Sequence, residues 1–160
     1  MNNPPKFLVF FCLLAHNKEF EMANLRLAEV MSRATFLRFD GKVVLKYDLS
    51  NLEHREDIEK VFNYFSGMVG RMPEKSIYCL LDMTGLNESV VSVEEMSQDT
   101  AEHASYFKAA AVISHNSKSD ELVKLLRNRL EIYLPIFQKE QEAIDWLLSL
   151  GSGPLGSSHA

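Results

Sequence analysis

The chain is poor in the residues that build unusual scaffolds. Seven glycines and five prolines in 160 residues exclude collagen-like and low-complexity organisation. Two cysteines, Cys12 and Cys79, both in apolar runs, are too few for the disulfide framework of a small secreted domain. They read as buried thiols in a reducing compartment. Basic residues are also in deficit, with 17 Lys and Arg against 22 Asp and Glu and a formal net charge of −5. That balance favours solubility and works against a grip on phosphate backbones, so no nucleic acid is expected as partner.

Signature motifs are missing too. No G-x-x-x-x-G-K-[ST], G-x-G-x-x-G or G-x-S-x-G occurs, which removes the usual nucleotide-binding and hydrolase signatures. His16, His54, His103, His115 and His159 form no i, i+4 pair, and there is no C-x-x-C. Neither a metal nor a cofactor is expected.

No apolar run is long enough to span a bilayer. The apolar stretch Phe7 to Ala15, after Lys6, has the outline of a short signal-peptide core, but its basic flank is weak and no clear A-x-A cleavage site follows. The other reading is a terminal strand, or an upstream extension of a domain that starts near Met22. A cytoplasmic location is the expectation. Residues 1–32 are taken as an extension, 33–150 as one domain, and the Gly- and Ser-rich residues 151–160 as a flexible tail.

What the chain does have is alternation of strand-like and helix-like periodicity. Thr35 to Phe39 and Lys42 to Tyr47 flank Asp40-Gly41, a dipeptide that accepts positive φ and so predicts a two-residue hairpin. Ser50 and Glu53 form a capping-box pattern ahead of Ile58, Val61, Phe62, Phe65, Met68, Val69 and Met72 at helical spacing. Pro73 ends that helix. Ser76 to Leu81 predicts a buried strand, and Gly85 a turn.

Ser92 with Glu95 predicts a second helix start, with a weak apolar stripe of Met96, Ala101 and Ala104. A strand over Lys108 to Ser114 follows. A helix over Ser117 to Arg129 then places Leu122, Leu125, Leu126 and Leu130 inward. A last strand over Ile132 to Phe137 precedes a helix over Lys139 to Leu150 with Ala143, Ile144, Trp146 and Leu147 on its apolar side. The fold class is therefore α/β: a mixed, mostly parallel sheet opened by a β-hairpin, with about four helices packed on it and right-handed crossovers.

Three segments carry a family likeness: Gly41-Lys42-Val43-Val44-Leu45-Lys46-Tyr47-Asp48-Leu49-Ser50, Leu80-Leu81-Asp82-Met83-Thr84-Gly85-Leu86, and Glu142-Ala143-Ile144-Asp145-Trp146-Leu147 after Phe137. In order and spacing the chain resembles the SpoIIAA-like branch of the STAS superfamily, relatives in fold of the bacterial anti-sigma factor antagonists. The resemblance implies a non-catalytic regulatory or protein-interaction module. In antagonists, a turn after a strand is followed by D-S-S-G-L, whose serine is phosphorylated. Here Asp82 to Leu86 matches the turn, but Val90-Val91-Ser92-Val93 lacks the Asp and Gly of the motif. Ser92 is the positional candidate for a phosphosite, and an N-cap role is its other reading.

Ligands of open α/β sheets gather at the carboxyl ends of the strands. Asp48 and Ser50, Asp82 and Thr84, and His115 and Asn116 would form such a rim, binding a partner or a small polar or apolar ligand. Helix caps and Asx-turns use the same residue types. A phosphoacceptor receiver is a poorer match, because one helix alone separates Asp48 from Asp82. Finally, the large apolar residues of Phe7 to Leu14 predict an interaction surface: a symmetric dimer, an extra strand, or the cover of a lipid-sized pocket.

Overall fold

A computed structural model of the chain describes residues 25–150. The apolar run Phe7 to Leu14, with Cys12 and His16, and the tail with His159 lie outside the described residues, as does the dimer expected of that run.

The strands are β1 (Ala34–Phe39), β2 (Lys42–Asp48), β3 (Ile77–Asp82), β4 (Phe107–Ile113) and β5 (Ile136–Phe137). The helices are α1 (Leu27–Ser32), α2 (Arg55–Val69), α3 (Val93–His103), α4 (Ser117–Leu130) and α5 (Glu140–Ser149). The strands form one sheet in the order β1-β2-β3-β4-β5; β1 pairs antiparallel with β2 and the other pairs are parallel. This is the expected α/β architecture. Asp40 and Gly41 join β1 to β2 with φ of 45° and 81°, the pair of left-handed residues that matches strand twist in a two-residue hairpin.

Alternation along the strands sorts their side chains onto two faces. Leu45, Tyr47, Ile77 and Val112 face α1 to α4 and join Val30, Val61, Phe65, Met96, Leu122, Val123 and Leu126 in one core. Val44, Tyr78, Leu80, Ala111 and Ile113 face α5 and pack on Ala143, Ile144 and Leu147 in a second. Three successive crossovers thus run over one face, as consecutive strands with a single crossover hand require.

Several local expectations are corrected. The Ser50–Glu53 box does not cap α2, whose N-cap is His54 with no side-chain cap bond. Leu49 and Leu52 are buried in the core and hold the chain down for a further turn, while Ser50 Oγ donates to Asp48 Oδ1 at 2.5 Å. Ala101 and Ala104 are exposed, leaving Met96 and Ser97 as the buried residues of α3. Leu125 is 54% exposed, and Val123 takes the buried place. The last strand shortens to two residues because Pro135 brings no N–H; its carbonyl accepts from Val112 N at 2.9 Å.

α1 lies within the stretch read as an extension. Its Val30 enters the core, and the backbone N–H of Leu25 donates to Oδ1 of the buried Asp57 at 2.7 Å.

Candidate functional site

The strand-end carboxylates are adjacent but occupied. Asp48 and Asp82 are register partners on β2 and β3, on the face covered by α5. Asp48 Oδ1 accepts from Ser50 N at 2.9 Å as well as from Ser50 Oγ. Asp82 Oδ1 accepts from Thr84 N at 3.0 Å. Both are Asx-turns that bend the chain off the strand. Cations close the arrangement. Arg33 Nη1 lies 3.6 Å from Asp48 Oδ1 and donates to the Ser50 carbonyl at 2.8 Å. Lys46 Nζ reaches Glu140 of α5 at 2.7 Å and Asp82 Oδ2 at 4.0 Å. The turn after β3 also requires Gly85: its φ is +66°, and a Cβ there would meet Asn51 Oδ1 at 2.3 Å.

His115 and Asn116 serve a different neighbourhood. Asn116 is the N-cap of α4, its side chain accepting from Ser119 N at 2.8 Å. Ser119 Oγ in turn donates to Glu88 at 2.6 Å. Burial works to raise the Glu88 pKa, but the hydrogen bond from Ser119, a bond from its own backbone N–H, Asn116 and the charge of Lys118 together outweigh it and hold the carboxyl below its usual range. His115 is exposed. Among the described residues no group of His, Cys, Asp and Glu is placed to hold a metal ion. Of the six rim residues, the structure brings Asp48, Ser50, Asp82 and Thr84 together in turns, and links Asn116 through Ser119 to Glu88 instead.

Ser92 is the N-cap of α3 and accepts from Glu95 N at 3.3 Å. Glu95 does not close the box; it pairs with Arg55 of α2.

Concavity lies on the opposite face of the sheet. A cavity of about 80 Å³ sits beneath α3, between α2 and α4. Its floor is Tyr47, Cys79, Leu81 and Ala110; its walls include Phe62, Met96, Phe107 and Leu126. The cause is residue size. Cys79 and Ala110 are register partners on β3 and β4, and above them α3 supplies one large apolar side chain, Met96. Two small residues side by side under a helix poor in large residues leave space that no neighbour fills.

A few polar groups line this apolar space: Ser66, Asp99, Thr100, His103, Cys79 and the Tyr47 hydroxyl. Tyr47 is 6% exposed and its ring stacks on Phe65 with centroids 3.4 Å apart. Its hydroxyl has no hydrogen-bond partner among the described residues. Burial, then the proximity of Cys79 and Asp99, drives its pKa far above the usual phenol value. Burial also pushes the Cys79 thiol up to about 12, which keeps it protonated and unreactive. Asp99 is raised by desolvation first and by the charge of Glu102 second.

The sequence pattern marks Phe62, Met96, Leu126 and Leu130 as inward helix residues and Cys79 and Leu81 as buried, but it does not mark the space between them. The signal it carries is indirect: Ala109-Ala110-Ala111 in a buried strand opposite a helix with few large apolar residues.

Among the described residues no helix is long and apolar enough to cross a membrane. No protein-family model matches the chain, and no curated protein and no solved structure is significantly similar to it.

Proposed function

We propose that the chain is a non-catalytic regulatory module of the STAS type that senses a small ligand held in the cavity beneath α3. One observation carries the reading: a largely apolar space between sheet and helices, lined by Tyr47, whose hydroxyl has no partner among the described residues. Binding sites are typically apolar concavities with a few placed polar groups. A hydroxyl uncommitted at such a wall is open to a ligand, and its oxygen keeps lone pairs that can accept. The volume suits a ligand body of a few carbons, not an acyl chain, since a water-sized group takes roughly 30 Å³.

The rim at the strand ends supports this reading less well. Open sheets form a crevice where successive crossovers diverge to opposite faces. Here α2, α3 and α4 share one face, and the rim carboxylates are engaged by turns and cations. A protein partner on residues 82–93 would meet a tied-down segment, with Met83 and Leu86 buried and Asn87 N bonded to the Leu52 carbonyl at 2.9 Å.

Thermal unfolding with small apolar compounds tests the proposal, because a ligand that binds the native state alone raises Tm with concentration. Four-carbon compounds should raise Tm for the full chain and not for Ala110→Leu, whose side chain fills the space. Equal shifts in both proteins would place binding elsewhere and overturn the reading.

A further inference from the structure

The hydrogen-bonding inventory of the cavity is one-sided. Ser66 Oγ donates its proton to the Phe62 carbonyl at 3.0 Å, and Thr100 Oγ1 to the Met96 carbonyl at 2.7 Å. Both hydroxyls therefore present lone pairs only to anything entering the space. His103 Nδ1 lies 2.7 Å from the Asp99 carbonyl oxygen. A carbonyl can only accept, so Nδ1 carries the proton and Nε2 of the neutral ring is left as an acceptor. The Asp99 carboxylate accepts from no described residue. Apart from the weak thiol of Cys79, Tyr47 is the sole lining side chain with an uncommitted donor.

Charge points the same way. Arg55 of α2 pairs with Glu59 at 2.8 Å and with Glu95, yet no lysine or arginine among the described residues pairs with Asp99 or Glu102. Glu102 accepts only from Gln98 Nε2, at 3.3 Å.

We infer that the ligand of this cavity is a small primary alkylammonium ion, its body of roughly three or four carbons over Cys79 and Ala110 and its ammonium group at Asp99 and His103. The inference rests on the proposed ligand-binding role and adds the head-group chemistry. An ammonium supplies three donors and no acceptor, which matches a set of acceptors. A carboxylate of the same length would meet Asp99 and Glu102 with like charge, and an alcohol would supply one donor and no charge.

The experiment uses the full-length chain at pH 8 and three isosteric probes, butylammonium, 1-butanol and butyrate, titrated by calorimetry. Butylammonium should bind about tenfold more tightly than 1-butanol, the usual advantage of a charge-assisted over a neutral hydrogen bond, with butyrate weakest. Asp99→Asn should bring butylammonium to the level of 1-butanol and leave 1-butanol unchanged. Binding of 1-butanol as tight as that of butylammonium to the unaltered chain overturns the head-group assignment while leaving the cavity as a binding site. An unchanged preference in Asp99→Asn overturns it as well. Failure of all three probes overturns the ligand-binding role and the ammonium assignment together.

Discussion

The two faces of the sheet are built from the same five strands but are filled differently. On the α5 face, one helix with Ala143, Ile144 and Leu147 on its apolar side meets Val44, Leu80 and Ala111, all without solvent exposure apart from Ile144 at 5%. On the other face, α2 and α4 each bring several large apolar side chains, whereas α3 between them brings Met96 and, at its first residue, Val93. A helix whose stripe matches the strands beneath it leaves no space; a weakly amphipathic one leaves a cavity with polar groups around it. Tight packing fixes the position of α5, and the gap under α3 creates room for chemistry.

Substitutions can sharpen that contrast. Leu147→Ala on the filled face should destabilise the protein by about 4 kcal/mol in urea unfolding, and Leu126→Ala, whose side chain already borders a void, by about 2 kcal/mol, since the cost grows with the close packing that each side chain gives up. Equal costs would mean that the two faces are packed alike. The neighbours Ala110 and Ala111 point to opposite faces and give a second comparison. Ala111→Leu overpacks the α5 side and should cost about 2 kcal/mol. Ala110→Leu places its extra carbons in the cavity and should stabilise by about 1 kcal/mol.

Removing the unpartnered hydroxyl with Tyr47→Phe should leave stability unchanged, against the loss of about 1 kcal/mol expected of a bonded hydroxyl. A loss of that size would instead show that the hydroxyl is engaged in the folded protein.

Acid unfolding separates two carboxyl groups on the same side of the sheet. Glu88, with its pKa lowered in the folded state, contributes stability present above the unfolded-state value and lost as pH falls through the folded one. Glu88→Gln should therefore be less stable than the unaltered chain near neutrality, by about 1 kcal/mol, and match it in acid. Asp99 has the opposite sign: its raised pKa means that the folded state holds the proton more tightly, so stability declines as pH rises through that range. Asp99→Asn should remove this decline. The smallest effect belongs to Leu125→Ala, which should stay within about 0.5 kcal/mol because the side chain is largely in solvent.

Much of the architecture was legible because it is written in local patterns. Asp40-Gly41 demanded a hairpin, Ser92 a helix start, and Gly85 a turn, and each does so for a steric or hydrogen-bonding reason that neighbours in sequence suffice to state. The failures come where tertiary contacts overrule a local pattern. Ser50 matched a cap signal, but Asp48 at the end of β2 engaged its N–H and hydroxyl and the burial of Leu52 delayed the helix. Leu125 matched an apolar stripe that the fold offset in favour of Val123. Of the strand-end residues, Asp48 and Asp82 meet through strand register while His115 and Asn116 do not join them, and what the two carboxylates do there was decided by Arg33 and Lys46, which no motif connects to them.

By itself, then, the sequence determined the strand and helix alternation, the hairpin and the predominantly parallel sheet, because periodicity and turn chemistry act over a few residues. Only the tertiary structure decided where space would remain. A cavity is a difference between side chains that meet and side chains that fall short, and Cys79, Ala110, Asp99 and Tyr47 come from four elements brought together by strand register and helix placement. No pattern along the chain marks such a meeting in advance.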